Sequence, residues 1–253
     1  MMSSDSAWLV CFRKVDAPVV RLFCLPYAGG GAAVYRSWRD ALPAGVEVWA
    51  VRPPGRENRF KERPYHRLAP LVDALAHELQ PCLDVPYGIF GHSLGAITGF
   101  EVARRLEAAG RGPGHLLVSA HGAPHLRPTA PPVHLAPDEV ILGRLRRYGG
   151  TPEAFYENDQ LVTALLPNLR ADMAVSETYR FTDPTPLRCP ITAFGGADDH
   201  LVAETAIAEW GRATVGGFRS HVFGGGHFYW VSDPAPLLHE VSADLADSFP
   251  QLR

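Results

Sequence analysis

Short apolar runs alternate along the chain with stretches whose apolar residues recur at helical spacing. Residues 19–25 read as a buried strand, and residues 46–51, 87–90, 115–120, 191–194 and 218–223 as further strands. Helical patterns lie between most of them, over residues 71–79 and 96–106, and a last helix runs from Leu237 to about Phe249. Alternation of this kind predicts an α/β fold: a mostly parallel sheet with helices on both faces. Residues 121–187 break the rhythm. They open on a proline-rich stretch, 125–132, and continue as helical patterns with no strand between them. Pro137-Asp138-Glu139 suits a helix start, Gly149-Gly150 its end, and Thr151-Pro152-Glu153 a second start before a helix over 159–179. The segment is expected to be a helical insertion between two strands. Ligands bind such sheets at the carboxyl ends of the strands, so an insertion there would form a lid. With 253 residues, the whole chain reads as a single domain, 1–253, with the insertion inside it.

Composition narrows the class. A formal net charge of −3 offers no basic field for nucleic acid, and no apolar run reaches membrane-spanning length. The first residues, Met1 to Phe12, lack a basic region, and their apolar run is too short for a signal peptide. Cys11, Cys24, Cys82 and Cys189 have no metal-ligand spacing, and most sit in or beside apolar runs. They read as reduced, packed cysteines of a cytoplasmic protein. A monomer is expected, with neither nucleic acid nor membrane as partner.

The richest chemistry is at Gly91-His92-Ser93-Leu94-Gly95, a G-x-S-x-G between an apolar strand and a helical pattern. Strand, tight turn and helix are the context of a nucleophile elbow, in which a strained turn exposes the serine hydroxyl at the end of a sheet. A serine hydroxyl is a weak nucleophile and needs a histidine base, itself oriented by an acid. Asp198 and Asp199 follow a predicted strand, and Gly224-Gly225-Gly226-His227 follows the next. The order Ser, Asp, His makes Ser93, Asp199 and His227 the candidate catalytic residues, with Asp198 expected to face solvent or cap its loop. Backbone N–H groups must hold the oxyanion. The candidates are Leu94, directly after the nucleophile, and Ala28, in the loop Pro26-Tyr27-Ala28-Gly29-Gly30-Gly31. That glycine run has neither the G-x-G-x-x-G pattern nor a following Gly-Lys-Ser/Thr, which argues against a nucleotide site.

In order along the chain, Pro26-Tyr27-Ala28-Gly29-Gly30, Pro54-Gly55-Arg56-Glu57-Asn58-Arg59, Gly91-His92-Ser93-Leu94-Gly95, Leu169-Arg170-Ala171-Asp172, Asp199 and Gly226-His227-Phe228 together resemble the type II thioesterases of polyketide and nonribosomal peptide assembly lines. His200 departs from the pattern, which commonly has proline after the acid. The resemblance implies an α/β-hydrolase fold and hydrolysis of acyl thioesters on the phosphopantetheine arm of acyl or peptidyl carrier proteins, with no cofactor or metal of its own. Leu161, Leu165 and Leu169 would line the acyl pocket. Carrier proteins are typically acidic, so a basic patch could dock one. Arg59 and Arg63 are one candidate pair, and Arg146 and Arg147, beside Arg144, the other. An esterase for small soluble esters, an acyltransferase or cyclase using the same triad, and a carrier-binding module without activity are the alternatives.

Overall fold

The structure, a computed structural model, describes residues 6–127 and 131–253. Pro128, Thr129 and Ala130 of the proline-rich stretch, and residues 1–5, lie outside the described residues. The strands are β1 (Leu9–Arg13), β2 (Val20–Leu25), β3 (Val46–Val51), β4 (Tyr87–His92), β5 (His115–Ser119), β6 (Ile191–Gly196) and β7 (Phe218–Phe223). The α-helices are α1 (Leu68–Leu79), α2 (Leu94–Ala108), α3 (Asp138–Tyr148), α4 (Glu153–Tyr156), α5 (Asp159–Glu177), α6 (Glu204–Ala208) and α7 (Ala235–Ser248). The strands form a 7-stranded sheet in the order β1-β3-β2-β4-β5-β6-β7.

From β3 to β7 every neighbouring pair is parallel. β1 runs antiparallel to β3 at the edge, with an irregular register between Cys11 and Arg13. It is the one strand the hydropathy pattern does not reveal. It is short and half-exposed beyond Leu9, and its antiparallel pairing with β3 needs no crossover helix to set up the alternation.

β2 shows why the inner strands read as mainly apolar runs. All of its residues are buried. Phe23 and Leu25 pack into the layer of α1 and α2, beside Leu75, Ile97 and Phe100. Val20, Leu22 and Cys24 point the other way, into a layer with Tyr35, Trp38, Trp230 and Val241. Side chains alternate across a strand, so a strand covered on both faces is apolar at nearly every position; the exception in β2, Arg21, is buried against Glu47 at 2.7 Å. Burying a side chain such as Phe23 stabilises the fold by about 1.5–3 kcal/mol. All four cysteines are free thiols.

Between β5 and β6 the chain carries α3, α4 and α5 and no named strand. These helices share a small cluster of their own, with Val133, Ile141, Leu145, Phe155, Leu166, Leu169 and Met173 at its centre. The Asn158 side chain caps α5, accepting from the Leu161 amide at 3.0 Å.

Candidate active site

Ser93 sits between β4 and α2 at φ 53°, ψ −115°. A non-glycine residue there carries roughly 1–3 kcal/mol of strain and persists only where its surroundings leave no alternative. Here they leave none. A Cβ on Gly91 would lie 2.0 Å from the Gly95 carbonyl oxygen, and one on Gly95 would lie 2.2 Å from that of Leu25. Both glycines are therefore required by backbone-to-backbone contact, and the Ser93 amide is anchored on the Ser119 carbonyl at 2.8 Å.

The structure brings the three candidate catalytic side chains into one hydrogen-bonded chain. His227 Nε2 lies 3.0 Å from Ser93 Oγ, and His227 Nδ1 lies 2.8 Å from Asp199 Oδ2. An ionised carboxylate only accepts, so Nδ1 carries the proton and Nε2 is left to accept from the serine hydroxyl. The other Asp199 oxygen accepts from the Leu201 and Val202 amides at 2.8 and 3.3 Å. Asp199 and His227 are both buried. Asp198 is exposed, and its carboxylate accepts from the Gly225 amide at 3.3 Å, capping the glycine loop. His200 is exposed and takes no part in the chain. Gly196 at the end of β6 is pressed against the loop bearing His227: a Cβ there would stand 2.4 Å from the Gly225 and Gly226 carbonyl oxygens.

His92 has a part that spacing does not reveal. It is fully buried, and its ring centroid lies 5.4 Å from that of His227. The Trp230 indole N–H donates to His92 Nδ1 at 3.1 Å, and Ser119 Oγ, itself bonded to Tyr229 Oη, is 2.8 Å from the same nitrogen. Burial, and then the nearness of His227, push its pKa well below the usual histidine value. A neutral imidazole thus supports the second histidine without competing for its charge. The Tyr148 ring of α3 lies 5.7 Å from the His227 ring.

Among the described residues, neither the Ala28 nor the Leu94 N–H donates to a protein acceptor; Leu94 opens α2, and the chain leading from β2 to Ala28 presses on the elbow at Gly95. The motifs most particular to the sequence converge just behind Ala28. Gly29, at φ +83°, donates its amide to Asp172 Oδ2 on α5 at 2.7 Å. Arg56 binds the same oxygen. Gly55, at φ +82°, gives its carbonyl to Asn168 Nδ2 at 2.9 Å, and Glu57 accepts the Ala33 amide at 2.8 Å.

Beside Ala28 lies a cavity of about 200 Å³, lined by Leu145, Tyr148, Phe155, Leu165, Leu169 and Phe228 among others. Leu161 is not part of it. The inward face of α5 is centred on Val162, Leu166, Leu169 and Met173. At about 100° per residue, Leu161 lies off that face, and it is exposed. Leu165, at the border of the face, still reaches the cavity.

The basic candidates also separate. Arg59 is not a surface residue at all, being 6% exposed. It stacks on Trp8 at 4.4 Å, grips Glu62 with two nitrogens and donates to the Arg52 carbonyl at 2.9 Å. Its guanidinium is taken up by these contacts and buried, so it cannot meet a partner. Arg63 and Arg147 are exposed. Arg146 is exposed too, paired with Glu153 at 3.1 Å and lying over Tyr156. Arg144 is half-buried and bonds the Pro131 carbonyl at 3.1 Å. Among the described residues no three metal-ligating side chains cluster, and no helix is long and apolar enough to cross a membrane.

Comparison with known proteins places this geometry. A family model for the thioesterase domain matches residues 20–245. The gramicidin S biosynthesis protein GrsT of Aneurinibacillus migulanus is 38% identical over 229 residues, 90% of each chain. The thioesterase PikA5 of Streptomyces venezuelae is 36% identical over 95% of this chain and 84% of its own. The solved structure of BorB, a type II thioesterase from the borrelidin biosynthetic cluster, superimposes with a TM-score of 0.88 at 37% identity, covering 96% of this chain and 100% of that one. The chain belongs to the thioesterase family, as one of the type II thioesterases of polyketide and nonribosomal peptide assembly, an acyl-thioester hydrolase of the α/β-hydrolase fold.

Proposed function

We propose that Ser93, His227 and Asp199 are the catalytic residues with which this thioesterase clears stalled or misloaded acyl groups from the phosphopantetheine arms of carrier proteins. The observation that carries the reading is the hydrogen-bonded chain from Ser93 Oγ through both nitrogens of His227 to Asp199, set on a strained elbow. His227 Nε2 takes the hydroxyl proton as Ser93 Oγ attacks the thioester carbonyl. The Leu94 and Ala28 amides hold the oxyanion. As the tetrahedral intermediate collapses, the C–S bond breaks and His227 returns the proton to the departing thiol. Water, deprotonated by the same nitrogen, then releases the free acid and restores Ser93. Asp199 holds the tautomer and stabilises the imidazolium between these steps. The cycle draws on side chains, backbone amides and water alone.

In this reading residues 121–187 are a lid, and the cavity beside Ala28 receives the acyl group. Carrier proteins as partners are inferred from the biosynthetic context that the names of GrsT and BorB carry. The deciding experiment is a panel of acyl-loaded carrier proteins assayed for free acid, with matching small thioesters and esters beside it and Ser93→Ala as the blank. Release of free acid in preference to acyl transfer, faster from carriers than from small esters and absent in the variant, is the expected result. Faster turnover of simple esters would mark a small-molecule esterase instead.

A further inference from the structure

The oxyanion loop has a difficulty built into it. Ala28 is followed by Gly29, Gly30 and Gly31, and glycines are the residues with most conformational freedom to lose. Yet the donor must be held tightly, because a displacement of about 1 Å in a reacting site can cost about 10²-fold in rate. The loop cannot supply that precision alone. Its internal anchor is the Gly30 amide on the Tyr27 carbonyl, at 2.9 Å. The anchor next to Ala28 comes from outside: the Gly29 amide, one peptide along, donates to Asp172 Oδ2 at 2.7 Å.

Asp172 lies 143 residues from Gly29, on α5 of the insertion, and its side chain is only 14% exposed. Arg56, whose side chain is 7% exposed, binds the same carboxylate oxygen and donates to the Gly55 carbonyl at 3.1 Å. Asp172 also borders the elbow, sharing a small cavity wall with Leu94, Gly95 and Thr98. Gly29 is held close to α5 by packing as well, since a Cβ on it would lie 2.6 Å from Leu169 Cδ2. Burial pushes the Asp172 pKa up from the ordinary carboxylate range, against the pull of Arg56 and the Gly29 amide.

We propose that Asp172, held by Arg56, is a positioning residue for thioester hydrolysis. By accepting the Gly29 amide it fixes the peptide adjoining the Ala28 N–H, so the oxyanion hole takes part of its geometry from the insertion. This rests on the reading of Ser93 as nucleophile and Ala28 as oxyanion donor. Asp172 makes no hydrogen bond to the serine or the histidine and, unlike Arg56, does not line the acyl cavity, so its effect passes through the loop.

The test is steady-state kinetics on an acyl thioester, with intact sites counted by the end-point of fluorophosphonate labelling. Asp172→Ala is expected to lower kcat by roughly 10–10²-fold at nearly unchanged KM, within the ceiling of about 10³ for losing one donor outright. Affinity for a boronic acid, whose tetrahedral adduct occupies the hole, should fall in parallel. Asp172→Asn keeps an acceptor of the same shape and should lose less than Asp172→Ala. In the double variant Arg56→Met, Asp172→Leu, an apolar pair replaces the buried ion pair and should largely preserve thermal stability. Its kcat should stay low, because Gly29 still lacks its acceptor. Recovery of kcat along with stability would overturn the proposal, as would normal kcat per labelled site in Asp172→Ala. Should the double variant not fold, the order of Asp172→Asn and Asp172→Ala in kcat and boronate affinity decides. Turnover surviving in Ser93→Ala would instead sink the underlying reading, whatever the Asp172 variants do.

Discussion

At the carboxyl end of the sheet, Ser93, Asp199 and His227 are held by backbone that has no room to move. Gly91, Gly95 and Gly196 are pressed against neighbouring carbonyls, and His92, Asp199 and His227 are all buried. The insertion is assembled differently. Its helices share a small satellite cluster, and Arg146–Glu153 and Arg170–Asp138 join them with at least one partner half-exposed or more. Exposed pairs of this kind contribute about 0–1 kcal/mol each. The first region has the rigidity that a reaction centre needs. The second can be re-shaped at small cost, as the lid proposed for it requires. Between them stands the Arg56–Asp172 pair, buried like the first region but borne partly by the second.

The largest effects should come from the rigid region. Asp199→Asn is expected to lower kcat by roughly 10³–10⁴-fold, since the amide presents the wrong group to His227 Nδ1 and loses the imidazolium's counter-charge. Asp198→Asn, which touches only a loop amide, should stay within about threefold. Thioester hydrolysis by the two purified variants checks this, and a reversal would remove Asp199 from the relay.

One substitution made in both regions sharpens the contrast next. Gly95→Ala places a methyl 2.2 Å from a backbone oxygen and should destabilise by more than about 3 kcal/mol, or prevent folding. Gly143→Ala, in the middle of α3 with nothing within 4 Å, should instead stabilise by roughly 0.5–1 kcal/mol. Thermal melts of the two read the sign directly. A destabilised Gly143→Ala would mean that the insertion is packed more tightly than its cluster indicates.

How much could be read in advance follows the same division. β2 to β6 were legible because a strand covered on both faces is mostly apolar, as β2 shows apart from Arg21, and β7, an exposed edge strand, by its aromatic and β-branched residues before a glycine run. β1 was not, because an antiparallel edge strand needs neither a continuous run nor a crossover helix. Ser93, Asp199 and His227 were placed by chain order and by loops at strand ends, which are local features. What escaped depends on tertiary closure. Arg56 and Asp172 are 116 residues apart, and nothing in either segment names the other as partner. Leu161, Leu165 and Leu169 were all expected in the acyl pocket, but the phase of the buried face is set by what α5 packs against. Arg59 looked like surface charge because its sequence neighbours are charged, whereas Trp8, from β1's approach, covers it.

The acyl cavity should respond more gently. Leu165→Phe fills space at the border of the cavity without touching the relay, and should shift preference toward shorter acyl groups by roughly tenfold in relative kcat/KM. Leu161→Phe, off the inward face, should leave the preference unchanged. Competition between acyl thioesters of graded length measures both. Equal shifts from the two variants would mean that α5 rolls to a different face when substrate is bound.

The smallest expected effect concerns the carrier protein. With Arg59 withdrawn into the fold, the exposed basic side chains left to compare are Arg63, after the turn that follows β3, and Arg146 and Arg147, on the last turn of α3. Arg146 and Arg147 adjoin Tyr148 and Gly149, which line the acyl cavity, whereas Arg63 is not among its lining residues. A carrier must set its arm at that cavity, so charge reversal at Arg146 and Arg147 should weaken carrier-dependent kcat/KM more than reversal at Arg63. The difference should be only a few-fold, because each contact is exposed and Arg146 already faces Glu153. Raising salt should erase it, since exposed charges are screened over about 10 Å at ~0.1 M. Small pantetheine thioesters and Ser93 labelling serve as internal controls and should be unaffected by either reversal. Equal, salt-insensitive rates on carrier-bound and small thioesters in all the proteins would leave the chemistry at the sheet's end intact and remove electrostatic docking from the insertion.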